Sequence, residues 1–142
     1  MSYGTSIGHA LAVTMFVADK VRRGMFEFVP SREISIQLGI KGPTLVKILQ
    51  SLHHAGLIET REGARGGVRL ARPASELTPK DVFDAIENRR PVFQIDLAFQ
   101  VKGDIPDRAV RTIRSVFDDA STSLESSLAS QTIAQLIAKL DG

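Results

Sequence analysis

The sequence predicts a mainly α-helical fold with a small β-hairpin wing: a winged helix-turn-helix domain followed by a long C-terminal dimerisation helix. Two short amphipathic helices joined by a glycine-containing turn lie between residues 31 and 55. A glycine-rich hairpin follows, and a heptad-spaced apolar seam begins near residue 106. We therefore expect a winged helix-turn-helix domain over 1–88, a connector over 89–105 and a helical dimerisation region over 106–142.

The first helix is predicted from Thr5, where apolar residues begin to recur at three- and four-residue steps, to Arg22 and Arg23 before Gly24. Its single histidine, His9, has no neighbouring metal ligand in the sequence and is expected to be a partly buried packing residue.

The helix-turn-helix is predicted from residues that typically begin or end a helix on either side of a short turn. Ser31 is expected to be the N-cap of a two-turn helix that turns Ile34 and Leu38 inward and ends at Gly39. Pro43 is preorganised for a first helical turn, which predicts a second helix over 43–55. Its apolar stripe consists of Leu45, Ile48, Leu49 and Leu52.

The wing is predicted over 57–71, with a flexible tip over 63–67 that contains three glycines. Thr78 then forms the sequence pattern of a capping box with Asp81, and Pro79 suits a first helical residue, so a fourth helix is expected to close over the N-terminal core.

Apolar residues after Pro106 predict a helix to about Ala129 that packs on another helix, expected to be the same helix of a second chain. The seam residues are Val110, Ile113, Phe117, Ala120 and Leu124. A last short helix through Ile133 and Ile137 is expected to fold back onto this pair.

Composition narrows the function classes. The 142 residues are 43% hydrophobic and 24% charged, as in ordinary globular domains, and contain no cysteine. This excludes disulfides, thiolate zinc sites, cysteine-ligated iron–sulfur clusters and a cysteine nucleophile. Three scattered histidines do not suggest a metal site, so no metal and no cofactor are expected.

Without a membrane-spanning apolar run or an N-terminal leader, a cytoplasmic protein with no membrane partner is expected.

Charge is distributed unevenly along the chain. Residues 1–73 carry ten Lys or Arg against five Asp or Glu, whereas residues 74–142 carry eight against eleven. A positive surface on one part of the protein favours a polyanion such as double-stranded DNA as partner.

The second helix of a helix-turn-helix usually enters the major groove, and a wing reaches the backbone or the minor groove. The residues expected to contact DNA are Ser31, Lys41, Thr44, Lys47, Gln50 and Ser51, with Arg61, Arg65, Gly66 and Arg69 in the wing. His54 lies on the same outward helix face. No residue is predicted to be catalytic, because paired carboxylates, a nucleophile–base set and a P-loop are lacking.

Five segments follow one another in the order found in one family: 34–40, 45–52, 55–58, 63–67 and 69–73. The chain resembles the Rrf-two (Rrf2) family of bacterial transcription regulators, most closely over residues 5–88. The resemblance implies a homodimer, held by the long helix over 106–129, that reads a palindromic operator with two winged helices. Members that sense through an iron–sulfur cluster carry three cysteines in the stretch corresponding to 89–105, and this chain has none.

Three positions depart from the family pattern: Val46 replaces an acid in the reading helix, Val68 an aromatic in the wing, and Glu62 a wing arginine. These departures leave open an alternative, a winged-helix module that binds a protein partner instead of DNA. The signal is also open. It could be a small molecule between the wing domain and the connector side chains Phe93, Ile95, Leu97 and Phe99, a protein partner, or nothing.

Overall fold

The computed structural model describes residues 4–142 and contains the predicted elements in the predicted order. The elements are α1 (Gly4–Arg22), α2 (Ser31–Leu38), α3 (Gly42–His54), β1 (Ile58–Arg61), β2 (Gly67–Leu70), α4 (Pro79–Glu87), α5 (Asp104–Leu128) and α6 (Ile133–Ala138). Short 3₁₀ turns cover Ala74–Glu76 and Lys139–Asp141. The mainly helical fold with a hairpin wing is therefore confirmed.

The helix-turn-helix packs its apolar stripes inward. Ile34 of α2 and Leu45, Ile48 and Leu52 of α3 are buried, whereas Leu49 is only half-buried at the edge of the core. Gly39 ends α2 in the left-handed conformation at φ 65°, a backbone geometry that glycine adopts without steric cost.

The prediction that Ser31 caps α2 is wrong. Pro30 holds the extended N-cap position, with φ −60° and ψ 138°, and Ser31 is already the first helical residue. No side chain caps this helix. Its first turn is therefore left with backbone N–H groups that only an external acceptor or water can satisfy.

The hairpin is antiparallel, with Ile58 opposite Leu70 and Arg61 opposite Gly67. The segment before α2 pairs with the hairpin at one point. The Val29 N–H donates to the Val68 carbonyl at 2.8 Å, and the Val68 N–H donates to the Val29 carbonyl at 2.9 Å. Val68 is buried there, so a valine suits the position.

Helix α4 begins as predicted. The Thr78 side chain accepts from the Asp81 N–H, and the Asp81 carboxylate accepts from the Thr78 N–H at 2.9 Å. Val82 and Phe83 are buried, and Val82 joins the core where α4 packs on α1 and α3. The chain then runs without regular structure to Gly103, and Val92 is the buried side chain of this connector.

Helix α6 does not pack as expected. It lies on α1, not on α5, and buries Ile133 and Ile137 in the core of the winged-helix domain. The Ile133 N–H donates to the Leu77 carbonyl at 2.7 Å. The last helix is therefore part of the N-terminal core. Its six residues are amphipathic, but that pattern does not specify which surface they cover.

An ion-pair cluster, formed by Asp19, Arg22, Arg23 and Asp141, ties the end of α1 to the turn after α6. Arg22 donates to both carboxylate oxygens of Asp141, at 2.9 and 2.8 Å, and Arg23 donates to one of them at 2.8 Å. Burial raises the pKa of the Asp19 carboxyl, but hydrogen bonds from the two arginines outweigh this and hold that pKa below its ordinary value. The Arg22 hydrogen bond likewise lowers the pKa of Asp141.

Within residues 4–142, no helix combines the length and the hydropathy that crossing a bilayer requires.

Candidate nucleic-acid interface

Helix α3 presents a polar face opposite its buried stripe. Thr44, Lys47 and Gln50 are exposed on it, and Ser51 is half-buried. Lys41 stands exposed at the N-cap position. Neither lysine forms an ion pair within the described part of the chain, so both ammonium groups are available to an anion.

The start of α2 lies beside this face. Ser31 and Arg32 carry uncapped first-turn N–H groups, and both side chains are exposed. A cavity of about 450 Å³ is bordered by these two residues, by Leu49 of α3 and by the wing tip. Helix N-termini favour anions because their free N–H groups and dipole point outward. Arg32 had no place in the sequence prediction, because an isolated arginine carries no periodic signal.

The sequence gives no reason to distinguish the three wing arginines, but in the structure their surroundings differ. The guanidinium carbons of Arg61 and Arg69 lie 4.2 and 4.4 Å from the centroid of the Phe28 ring. Arg61 also pairs with Glu27 at 3.1 Å, and Arg69 forms a close ion pair with Glu59. Both cations therefore brace the hairpin against the segment before α2.

Arg65, at the wing tip, is different. Its carbonyl accepts two hydrogen bonds from the Arg61 guanidinium, at 3.2 and 2.8 Å, but its own side chain is exposed and forms no ion pair within residues 4–142. Arg65 is therefore the wing arginine that is free to contact an anion.

Gly66 and Gly67, next to Arg65, lie where the backbone leaves no room for a side chain. A Cβ on Gly66 would lie 2.3 Å from the Arg61 carbonyl oxygen, and one on Gly67 would lie 2.2 Å from that of Val29. A side chain at Gly66 would force the hairpin tip apart, and one at Gly67 would push the hairpin away from the segment before α2. The tight tip leaves Arg65 projecting from it.

The predicted dimer seam lies on α5. Val110, Ile113, Phe117 and Leu124 are half-buried and Ala120 is exposed, and none of residues 104–128 is buried. The Phe117 ring packs on Phe93 of the connector, with centroids 5.1 Å apart. This single chain therefore covers the apolar seam only in part.

Comparison with known proteins agrees with this architecture. A model of the Rrf2 family, described as iron-dependent transcriptional regulators, matches residues 6–139. Among curated relatives, protein aau3 of Rhizobium meliloti is 52% identical over 56 residues, which cover 39% of this chain and 36% of the relative. The transcriptional regulator IscR of Cereibacter sphaeroides is 36% identical over 61 residues, covering 43% and 39%. The matched segments thus span well under half the length of these relatives.

Solved structures match over nearly the whole chain. IscR of T. potens superposes with a TM-score of 0.73 at 21% identity, covering 99% of this chain and 88% of that one. CymR, the global cysteine regulator of B. subtilis, gives a TM-score of 0.74 at 18% identity and 98% coverage of both chains. At these identities the likeness establishes the winged-helix fold alone.

The iron in the family description can be tested against the donors present. The chain contains no cysteine, and within residues 4–142 no three His, Asp or Glu side chains are placed to share a metal ion. A cysteine-ligated iron–sulfur cluster therefore does not fit these residues.

Proposed function

The chain belongs to the Rrf2 family of transcriptional regulators, and from that premise we propose that it is a bacterial cytoplasmic repressor that binds double-stranded DNA as a homodimer. Each protomer places α3, the helix predicted over 43–55, in the major groove and the wing over 57–71 against the adjacent backbone or minor groove. The two winged-helix domains of the dimer, related by two-fold symmetry, read a palindromic operator. A bound dimer represses by blocking a promoter.

The observation that carries this proposal is the set of unpaired cations around α3. Lys41, Lys47 and Arg65 are exposed and form no ion pair within residues 4–142. Lysine and arginine without intramolecular partners are what a phosphate backbone requires. The uncapped start of α2 at Ser31 adds backbone N–H donors for a further phosphate.

The proposed roles differ along the surface. Thr44, Gln50 and Ser51 can donate to and accept from base edges, so we assign them to sequence reading. Lys41, Lys47 and Arg65 are assigned to phosphates. Arg61 and Arg69 contact DNA only through the outward edges of guanidinium groups that Glu27 and Glu59 already engage, and Gly66 allows close approach of the tip.

The homodimer is proposed through α5. A 25-residue helix without a buried residue, but with apolar side chains at heptad spacing, is typical of a helix that pairs with another. The interface residues are Val110, Ile113, Phe117, Ala120 and Leu124.

A second candidate function, a protein-binding module, is favoured by two exposed apolar side chains on the helix-turn-helix. Ile36 and Val46 are 64% and 52% exposed. A small-molecule effector remains a further proposal. The connector and the start of α5 border a cavity of about 390 Å³ lined by Leu97, Phe99 and Val110, among others.

The experiment is selection of bound duplexes from a random-sequence pool at two salt concentrations, followed by affinity measurements with variants. A two-fold symmetric motif is expected. Lys47→Ala and Arg65→Ala should weaken binding and make its salt dependence shallower by about 0.9 per phosphate contact, whereas Gln50→Ala and Thr44→Ala should mainly relax sequence preference. Lys139→Ala, at the end of α6, is the control. Unchanged affinity and preference in all four variants would refute the proposed docking.

A further inference from the structure

A groove between α3 and α4 lies beside the reading face, by which we mean the polar face of α3 that carries Thr44, Lys47, Gln50 and Ser51. Its volume is about 660 Å³. Polar and charged side chains lining it include Lys47, Gln50, Ser51, His54, Arg72 and Arg89. The first three already belong to the proposed DNA surface, whereas Arg72, just after the wing, and Arg89, just beyond α4, have no role so far.

The cations of this groove are free and its acids are not. The side chains of Lys47, Arg72 and Arg89 make no hydrogen bond or ion pair within residues 4–142. Asp84 is engaged by the Lys80 ammonium at 2.6 Å, and Asp81 caps α4 by accepting from the Thr78 N–H at 2.9 Å. Three cations, Lys47, Arg72 and Arg89, also outnumber the two acids in the lining, so the groove carries a net positive formal charge and its free charged groups are cations.

The backbone at the end of α4 brings Arg89 to the groove through an unfavourable conformation. Asn88 and Arg89 are consecutive left-handed residues, with φ 52° and φ 57°, and the N–H of each donates to the Asp84 carbonyl. Asparagine tolerates this conformation, whereas an arginine in it costs conformational free energy. A glycine would remove the strain, but it would also remove the guanidinium.

These observations, added to the proposed DNA binding, extend the interface. We infer that the α3–α4 groove binds a backbone phosphate of the DNA that α3 reads, with Arg72 and Arg89 as donors. The groove shares Lys47, Gln50 and Ser51 with the reading face, so a strand in contact with that face passes its mouth. Guanidinium groups suit phosphate because they can donate two parallel hydrogen bonds. Such contacts fix the register of the protein without reading sequence.

The inference is tested by measuring the affinity of the full chain for a labelled duplex carrying the selected motif, across a salt series. Arg72→Ala and Arg89→Ala should each weaken binding about tenfold at low salt. Each should also lower the slope of log affinity against log salt by about 0.9 and leave sequence preference unchanged.

Two variants separate the charge from the fold. Arg89→Gly keeps the left-handed turn accessible, so it should lose DNA affinity like Arg89→Ala while folding at least as stably as the wild type. Arg90→Ala removes the same charge one residue away. The Arg90 side chain lies outside the groove and bonds to Glu87, so this variant should bind DNA like the wild type.

The outcomes distinguish this inference from the proposed function. If Lys47→Ala weakens binding but Arg72→Ala and Arg89→Ala behave like Arg90→Ala, the groove inference fails and DNA binding stands. If the wild type binds no duplex, or if Lys47→Ala, Arg65→Ala, Gln50→Ala and Thr44→Ala all keep wild-type affinity and preference, the proposed function fails and the groove inference fails with it. A third outcome also overturns the inference. Pyrophosphate would bind the wild type but not Arg72→Ala or Arg89→Ala, while both variants keep full DNA affinity. The groove would then bind a small free anion and not a DNA phosphate.

Discussion

Helices α3 and α5 are both amphipathic, but the apolar stripe of α3 is largely buried within its own chain, whereas that of α5 is covered only in part. Leu45, Ile48 and Leu52 of α3 are 2%, 5% and 0% exposed. Helix α5 is about twice as long and buries no residue, and Val116 on it is 61% exposed. An apolar stripe therefore indicates that one face of a helix is covered, but it does not specify what covers that face. In α3 it builds a core, and in α5 it leaves an apolar face that we propose a second protomer covers.

The largest expected effect is in the α3 core. Leu52→Ala removes a fully buried side chain and should lower the free energy of unfolding by about 2–5 kcal/mol, because the surrounding core cannot fill the cavity. Leu140→Ala makes the same change at a leucine that is 53% exposed and should cost within about 0.5 kcal/mol. Urea denaturation measures both, and equal losses would contradict the assignment of the core.

A change in α5 should act on assembly and not on folding. Phe117→Glu places a charge in the proposed seam and should raise the dimer dissociation constant about a hundredfold, or about 3 kcal/mol, with helical content retained.

Sedimentation at several concentrations measures this dimer constant, with Ser115→Glu, on the opposite face of α5, as the control. If Phe117→Glu remains as dimeric as the wild type, α5 is not the interface.

The smallest effect concerns the cluster that attaches α6 to the core. The pKa values of Asp19 and Asp141 are lowered in the folded state, so their contribution to stability is present above their ordinary value of 3.8 and is lost as pH falls through the folded pKa. Asp141→Asn should therefore lower the urea midpoint slightly at pH 7. That difference should shrink as the pH falls below about 3.8.

Asp118→Asn, an exposed acid on α5, is the control. A difference between wild type and Asp141→Asn that is the same at pH 7 and pH 2.5 would show that the ion pairs do not anchor α6.

Features set by neighbours in the sequence were predictable. Thr78 and Asp81 are three residues apart, so their capping box follows from local chemistry, and the stripe of α3 follows from helical periodicity. The bridge between Val29 and Val68 was not predictable, because a single pair of hydrogen bonds leaves no repeating pattern.

The candidate site divides in the same way. Outward residues of α3 such as Lys47 and Gln50 could be named from the helix alone. The pairing of Arg61 and Arg69 over Phe28 could not, because it depends on a segment more than thirty residues earlier in the chain. The groove cations Arg72 and Arg89 were missed for the same reason: Arg72 reaches the groove from the residues after β2 and Arg89 from the end of α4, and only the tertiary fold brings both beside α3.

The contact between Arg22 and Asp141 spans 119 residues, so it closes a loop that contains almost the whole molecule. Closing so long a loop is entropically costly and raises the contact order, which slows folding. During synthesis, the side of α1 that receives Ile133 and Ile137 stays uncovered until those residues have left the ribosome. The winged-helix unit therefore completes its core only after α5 has been made, and the nascent chain passes through a stage in which two apolar surfaces are exposed at once.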